Sequence, residues 1–232
     1  MLRRIGVVVP YDFALDREIW RWAPDGTDLL VTRTRHQSLR VDVDLAELIS
    51  TEEALRVGTL DVLATEPDAV LYLCTSGSFV RGVAGEQRMR EVMVEAGAPA
   101  AVTTSGALPA ALRHLDVGEI AVASPYLPTL RRLLDEFLRA AGFGVITHYG
   151  LDLDQHIWQV ADGVVRDLVR AADRASAEAV FIACTNVPTF DLIAEMEAEL
   201  GKPVLTANQV SLWAALRAAG VPLPALGQRL FG

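Results

Sequence analysis

The chain contains two cysteines, and each lies at the end of a short apolar run. Cys74 ends the run 69–74, and Cys184 ends the run 179–184. A thiol at the end of a buried strand can act as a nucleophile or as an acid and base. Because ligands collect at the carboxyl ends of parallel strands, two such cysteines on facing units would line one crevice. We therefore predict Cys74 and Cys184 as catalytic residues.

Small polar residues follow both cysteines and predict a carboxylate site. Thr75 and Ser76 follow the first cysteine, and Thr185 and Asn186 follow the second. If a helix begins at each position, its unpaired N–H groups and partial positive charge would bind a carboxylate. The same field would lower the pKa of the adjacent thiol and favour the thiolate. We predict these four residues as substrate-binding.

Two tyrosines are further candidates, because each follows a proline directly after an apolar run. Tyr11 follows Pro10, and Tyr126 follows Pro125. A phenol at that rim of a sheet can donate a hydrogen bond to a developing oxyanion. The alternative is a tyrosine that closes the core and keeps its hydroxyl in water. We predict Pro10, Tyr11 and Tyr126 as substrate-binding residues.

Other interpretations of the cysteines remain open. A cysteine at a strand end often serves as a small buried hydrophobic residue. A disulfide between the two is a third interpretation, which a cytoplasmic setting disfavours. We predict no zinc site, because neither cysteine has another Cys or His at ligand spacing. The functional interpretation is favoured because the only two cysteines hold equivalent positions in an internal repeat.

The repeat divides the chain into two similar units. Segments 5–11, 73–76 and 102–113 resemble 120–126, 183–186 and 205–217 in the same order, between 103 and 115 residues later. We predict two α/β halves, residues 1–117 (the first half) and residues 118–232 (the second half). The tail 222–232 is expected to pack back on the first half.

Short apolar runs alternate with helical patterns along both halves. Continuous apolar runs are typical of strands whose sheets are covered by helices on both faces. Such runs occupy 5–10, 69–74, 99–103, 119–123, 179–184 and 203–206, and apolar residues at helical spacing occupy 127–141 and 160–172. This order predicts an α/β fold with two pseudo-symmetric, flavodoxin-like halves, each a parallel sheet flanked by helices, with the active site between them.

The charge and the apolar content of the chain argue against several kinds of binding partner. With 21 basic and 30 acidic residues the formal net charge is −9, which argues against a nucleic-acid partner. No segment reaches the ~18 apolar residues of a membrane span, and no signal peptide is evident. No nucleotide-binding glycine motif occurs. We expect a cytoplasmic homo-oligomer with no membrane partner, no cofactor and no metal, which binds a small carboxylate.

Several motifs together resemble the aspartate/glutamate racemase superfamily, and within it the branch of maleate cis-trans isomerases and arylmalonate decarboxylases. They are Val9-Pro10, CTSGSF at 74–79, SPY at 124–126, CTN at 184–186, and PVLTANQ at 203–209 followed by WAALR at 213–217. The resemblance covers nearly the whole chain. It implies two pseudo-symmetric halves that bind a small carboxylic acid between them without a cofactor or metal.

The resemblance also implies roles for the candidate residues. Cys74 would be the nucleophile or first base and Cys184 the opposing acid/base. Thr75, Ser76 and Tyr126 would hold one carboxylate, and N–H groups near Thr185 and Asn186 would hold the other end of the substrate. Decarboxylases of this branch have glycine at the first position, so Cys74 favours an isomerase or racemase.

The match departs from the isomerases at two positions. They carry a substrate-binding asparagine shortly after the first proline, where this chain reads 11–13 YDF, and another where it reads 154–156 DQH. We expect a bulkier or less symmetric acid than maleate. The alternatives are a cofactor-free decarboxylase of a substituted malonate and a non-catalytic carboxylate-binding protein with the same fold.

Overall fold

The computed structural model describes residues 2–232. In that range eight strands form two parallel sheets of four strands each, with the orders β2-β1-β3-β4 and β6-β5-β7-β8. Their bounds are β1 (Arg3–Val9), β2 (Thr27–Arg33), β3 (Ala69–Tyr72), β4 (Ala101–Thr103), β5 (Glu119–Ser124), β6 (Gly144–Gly150), β7 (Ala179–Ile182) and β8 (Val204–Thr206). The identical order in both sheets confirms the predicted pseudo-symmetric α/β fold.

Helices cover both sheets and supply the second layer of the core. They are α1 (Asp16–Ile19), α2 (Val43–Ile49), α3 (Glu52–Leu63), α4 (Thr75–Phe79), α5 (Gly82–Glu95), α6 (Thr104–His114), α7 (Pro128–Ala140), α8 (Asp162–Ala172), α9 (Ile193–Leu200) and α10 (Ala207–Ala218). Short 3₁₀ turns occupy Trp20–Trp22, Ile157–Gln159 and Arg229–Phe231. The helical patterns at 127–141 and 160–172 correspond to α7 and α8.

The six strands predicted from apolar runs are all present, whereas β2 and β6 were not predicted. The central strands β3 and β7 are buried along their whole length, which is why their sequences are continuously apolar. Strands β2 and β6 lie at the sheet edges, and most residues of β6 are only half-buried. An edge strand needs few apolar residues, so β6 keeps polar ones such as Thr147 and His148 and gives a weak sequence signal.

The two sheets are joined by direct packing between helices and by the tail. Helix α6 of the first half packs against α10 of the second, and Ser211 Oγ bonds Thr104 Oγ1 at 2.9 Å. The Trp22 indole donates to Gln228 Oε1 at 3.0 Å, so the tail contacts the first half. The division at residues 117/118 stays a prediction.

Within residues 2–232, no helix has both the length and the apolar character needed to cross a lipid bilayer.

Helix α3 approaches strand β1 so closely that a glycine is required. A Cβ at Gly58 would lie 2.6 Å from Val8 Cγ1, and Val8 is buried in β1 and has no room to move. We expect Gly58→Ala to lower the free energy of unfolding by about 1–3 kcal/mol, because overpacking outweighs the gain in helix propensity. Urea denaturation monitored by circular dichroism measures the change.

Gly163 provides a matched control for that substitution. It also lies in a helix, α8, and a Cβ there would meet nothing within 4 Å. Gly163→Ala should therefore leave the stability unchanged or raise it by up to about 1 kcal/mol. A stabilising Gly58→Ala would contradict the close packing of α3 on β1.

Candidate active site

Cys74 lies two residues beyond the end of β3 and is the N-cap residue of helix α4. Its side chain is 4% exposed, and its sulfur accepts a hydrogen bond from the Gly77 N–H at 3.4 Å. A Cβ at position 77 would lie 2.4 Å from the Tyr72 hydroxyl and 3.2 Å from Cys74 Sγ. Glycine is thus required for the backbone to approach the thiol.

Cys184 lies at the equivalent place in the second half, two residues beyond the end of β7. Its backbone has φ +83°, a left-handed conformation that is uncommon for residues other than glycine and is often found at functional sites. The residues after it form a turn, and the Val187 N–H donates to the Cys184 carbonyl at 3.2 Å. The expectation that a helix begins directly after Cys184 is wrong, because α9 begins only at Ile193.

The two thiols and the Tyr126 phenol are buried and interact electrostatically with one another. Burial raises the pKa of the Tyr126 phenol well above its ordinary value, and the charges of Cys184 and Cys74 raise it further. The charge of Cys74 also raises the pKa of Cys184. The Tyr126 ring packs edge-on against Phe79, with ring centroids 5.9 Å apart. The phenol is thus placed beside both cysteines.

Burial dominates the ionisation of both thiols. It raises the pKa of Cys74 to about 11 and that of Cys184 to about 12. Hydrogen bonds from the N–H groups of Gly77 and Asn186 lower these values only in part. The expectation that the local field lowers the thiol pKa is therefore wrong. Loss of hydration destabilises the thiolate more than the N–H donors stabilise it. Both cysteines are free thiols.

Thr75 and Ser76 line the first thiol from the start of α4. The Thr75 hydroxyl is buried and has no hydrogen-bond partner, and Ser76 Oγ lies 3.8 Å from Cys74 Sγ. Both residues belong to the first turn of the helix, whose N–H groups have no acceptor within the helix. An unpaired buried hydroxyl is costly, so these groups are suited to binding a carboxylate.

Asn186 uses its side chain to join the two halves. Its Oδ1 accepts the Ala14 N–H at 2.9 Å, and its Nδ2 donates to the Asp12 carbonyl at 3.1 Å. Only its backbone N–H is directed to Cys184. The neighbouring Thr185 is buried, and its carbonyl accepts a hydrogen bond from Asn208 Nδ2 at 2.9 Å. The amide of Asn186 thus holds the loop after β1 against the turn after Cys184.

Tyr11 lies at the rim of this region. Its hydroxyl donates to the Leu39 carbonyl at 3.0 Å, and its ring packs edge-on against His36 with centroids 5.0 Å apart. The buried Pro10 begins the turn, and its carbonyl accepts the Phe13 N–H at 3.1 Å. The structure therefore groups Cys74, Cys184, Thr75, Ser76 and Tyr126, with Tyr11 directed towards the segment 34–42.

Asp12 lies in the segment 11–13, one of the two places where the chain departs from the isomerases. Burial raises the pKa of its carboxyl group, and its charge raises the pKa of both thiols. The carboxylate thus lies within electrostatic range of Cys74 and Cys184. The signal available in the sequence was its position two residues after Pro10, the proline that follows β1.

A family model described as arylmalonate decarboxylase matches residues 55–231, about three quarters of the chain. The chain belongs to the arylmalonate decarboxylase family. The relationship predicted from the motifs is thereby confirmed, and it spans both thiols.

Sequence relatives of this family member include isomerases and a decarboxylase. Maleate isomerase of Nocardia farcinica is 26% identical over 97% of this chain and 94% of the relative. Arylmalonate decarboxylase of Bordetella bronchiseptica is 31% identical over 65% of each chain. Because further maleate isomerases also match, the relatives support a cysteine-based isomerase, with the decarboxylase as the alternative.

Solved structures show the same fold. A liganded variant of arylmalonate decarboxylase superposes with a TM-score of 0.91 at 24% identity and covers 99% of this chain and 98% of its own. Nocardia farcinica maleate cis-trans isomerase, as a cysteine-to-serine variant with a covalently bound succinylcysteine intermediate, superposes with a TM-score of 0.89 at 24% identity and the same coverage.

The contacts of Asn186 give a prediction for stability. Asn186→Ala leaves the Asp12 carbonyl and the Ala14 N–H without partners. We expect the free energy of unfolding to fall by about 1–3 kcal/mol, as for other partly buried groups that lose hydrogen bonds. Urea denaturation measures the loss.

Asp191→Asn is the matched control, because it removes another link between the two halves. Asp191 pairs with Arg21 at 2.7 Å, but both side chains are exposed. Exposed ion pairs contribute at most about 1 kcal/mol. If the control destabilises the protein more than Asn186→Ala does, Asn186 does not join the halves as described.

Proposed function

We propose that the protein is a cofactor-independent isomerase of a small carboxylic acid that works through Cys74 and Cys184. The observation that carries this proposal is that the two thiols lie at equivalent positions, each two residues beyond the end of β3 or β7. Both are close enough to the Tyr126 phenol for their charges to raise its pKa. Maleate isomerase relatives that cover nearly the whole chain support it. A racemase would use the same pair of thiols.

The first step on an unsaturated acid is addition of the Cys74 thiolate to an alkene carbon. A carbon–sulfur bond forms, and the π electrons move into the adjacent carboxylate to give an enediolate. The Cys184 thiol can give its proton to the enediolate carbon, which forms the saturated adduct, and the Cys184 thiolate takes that proton back before elimination. The former double bond is single meanwhile and can rotate. When the electrons return, the carbon–sulfur bond breaks, the trans alkene forms and the Cys74 thiolate is released.

In the racemase variant, one thiolate removes the proton next to the carboxylate and the opposite thiol returns one to the other face. The carbon–hydrogen electrons are held in the enediolate between the two steps. The high pKa of Cys184 suits it to the donor role, because a thiol with a pKa near 12 stays protonated at neutral pH. The Gly77 N–H donates to Cys74 Sγ at 3.4 Å and favours the thiolate form of Cys74.

Hydrogen-bond donors around the thiols would stabilise the charge that develops in either reaction. Thr75, the first-turn N–H groups of α4 and the Tyr126 phenol are available for this role. Each well-placed donor in a site without water lowers the activation barrier by roughly 3 kcal/mol. These donors can bind one carboxylate of a monocarboxylic or dicarboxylic acid, so the proposed chemistry is not limited to maleate.

The second candidate is a cofactor-free decarboxylase of a substituted malonate, which the family match favours. It needs a single proton donor, Cys184, and makes no use of a nucleophile at position 74. The presence of Cys74 is the argument against it.

The assembly and compartment follow as further proposals: we propose a homo-oligomer in a reducing, cytoplasmic setting that keeps both thiols free.

Substitution of each cysteine tests the two-thiol mechanism. We expect Cys74→Ala and Cys184→Ala each to lose about 10²–10⁴-fold in kcat/KM, the usual contribution of a positioned acid or base. Proton NMR of a panel of unsaturated diacids, half-amides and amino acids measures turnover, and running it in D₂O reports proton exchange next to the carboxylate.

Two further measurements separate the alternatives. In Cys184→Ser, mass spectrometry should detect one substrate molecule added to the protein at Cys74 when the substrate is unsaturated. Full activity in either alanine variant would rule out the two-thiol mechanism. Release of carbon dioxide from a substituted malonate by Cys74→Gly would favour the decarboxylase.

A further inference from the structure

Glu18 is a half-buried carboxylate of helix α1 that the proposed mechanism does not use. Its Oε2 accepts the Thr189 N–H at 2.9 Å, and its Oε1 accepts the Thr189 hydroxyl at 3.1 Å. The same Oε1 accepts Asn208 Nδ2 at 3.0 Å. Glu18 lies in the first half of the chain, and both donor residues lie in the second. Its hydrogen bonds therefore cross from one half to the other.

These bonds meet at the turn that follows Cys184. The Asn208 Nδ2 that donates to Glu18 also donates to the Thr185 carbonyl at 2.9 Å. Thr185 comes directly after the cysteine and begins the turn, and Thr189 lies at its far end. Glu18 and Asn208 together thus hold both ends of the turn.

The first half holds the residue after its own cysteine at an equivalent place, but with hydroxyls alone. Ser105, the second residue of α6, donates to the Thr75 carbonyl at 3.1 Å. Asn208, the second residue of α10, makes the corresponding bond to the Thr185 carbonyl. The neighbour of Ser105 is the Ser78 hydroxyl of the same half, at 2.7 Å. The donor is thus repeated in both halves, whereas a carboxylate from the opposite half supports it only in the second.

The turn requires such support because its backbone is strained. Cys184 has φ +83°, and a conformation of this kind persists only where the surrounding structure fixes it. Asn186 directs its N–H to the thiol only while the turn keeps its shape. A carboxylate suits this role because hydrogen bonds to charged groups are stronger than those between neutral groups. Arg21, three residues after Glu18, pairs with Asp191 at 2.7 Å, which leaves the Glu18 oxygens to the turn.

We propose that Glu18, together with Asn208, is a positioning residue for the second thiol: it holds the turn after Cys184 from the opposite half and so fixes the N–H group that faces this thiol. The inference rests on the proposed isomerase function and deepens it, because an acid or base acts only when it is held within reach of the reacting carbon. Contact between the halves thus sets the geometry of the second thiol, whereas contacts within the first half set that of the first.

Glu18→Gln is the variant that tests this role. It keeps the length of the side chain and replaces one acceptor oxygen by an NH₂ group. In either orientation of the new amide, this NH₂ group faces another donor, the Thr189 N–H or the Asn208 amide. The turn should therefore loosen, while the contacts around the first thiol stay as they are.

Two measurements on the free protein report the two thiols separately. Hydrogen exchange, followed by mass spectrometry, should become faster in residues 184–190 and stay unchanged in 74–79. With limiting iodoacetamide, Cys184 should be alkylated about 10-fold faster, the scale of losing one hydrogen bond to a charged group. Water that enters the loosened turn favours the thiolate. Alkylation of Cys74 should not change, whereas a general loss of stability would affect both thiols.

Turnover provides the third measurement. On any acid that the natural chain converts, we expect kcat/KM to fall about 10-fold in Glu18→Gln, for the same lost hydrogen bond. Thr189→Val keeps the shape of its side chain and removes one of the three donors. It should shift exchange, alkylation and turnover in the same directions by smaller factors, and it replaces Glu18→Gln should that variant fail to fold.

Asp16→Asn is the matched control. Asp16 lies in the same helix and pairs with Arg33 at 2.7 Å, so the variant removes an equal charge without a change at the turn. All three measurements should stay as in the natural chain.

Unchanged exchange in residues 184–190, equal changes at both thiols, or a loosened turn with unchanged kcat/KM would each overturn the role of Glu18 while the isomerase function stands. Exchange and alkylation need no substrate. They decide the role of Glu18 even if no acid is converted, an outcome that would count against the isomerase function instead.

Discussion

The removal of two thiols from water is the constraint on which the rest of the site depends. Burial raises the pKa of both cysteines by more than the neighbouring N–H donors lower it. A thiolate formed there is poorly solvated and correspondingly reactive, and its charge must be met by the groups that surround it. Gly77, Asn186 and Tyr126 are these groups, and each is fixed by the fold. The close approach at Gly77 and the left-handed backbone of Cys184 are local features that this arrangement demands.

The two halves repeat the fold but not the local chemistry. Cys74 caps a helix, and its sulfur accepts the third N–H of that helix. Cys184 lies in a turn and is held by a backbone conformation that few residues other than glycine adopt. The first thiol thus has unpaired donors next to it, whereas the second has its neighbouring amide side chain committed to the opposite half. A nucleophile benefits from the first environment, and a proton donor that must be held rigidly benefits from the second.

The parts of this molecule that could be predicted from sequence are those fixed by burial. Strands β3 and β7 are apolar because helices cover both faces, and the cysteines that end them mark the rim of each sheet. The edge strands β2 and β6 gave little signal because most of their residues are only half-buried. The pKa of the thiols could not be predicted, because it depends on how completely water is excluded once the halves meet. The use of the Asn186 side chain is a contact between residues 174 positions apart, and no local pattern encodes it.

Three side chains beside the site form a Ser-His-Asp chain of hydrogen bonds. Ser124 Oγ lies 2.8 Å from His148 Nε2, and His148 Nδ1 lies 2.6 Å from Asp135 Oδ1, which is the connectivity of a hydrolase triad. Ser124 is fully buried at the end of β5, and its hydroxyl is paired with the His148 ring. The carbonyls of Ser124 and Pro125 accept the N–H groups of Leu151 and Leu153, which places the segment after β6 beside Tyr126. Because a buried polar network is stable only when each member is paired, these three side chains fix the backbone that carries the phenol, and the chemistry belongs to the thiols.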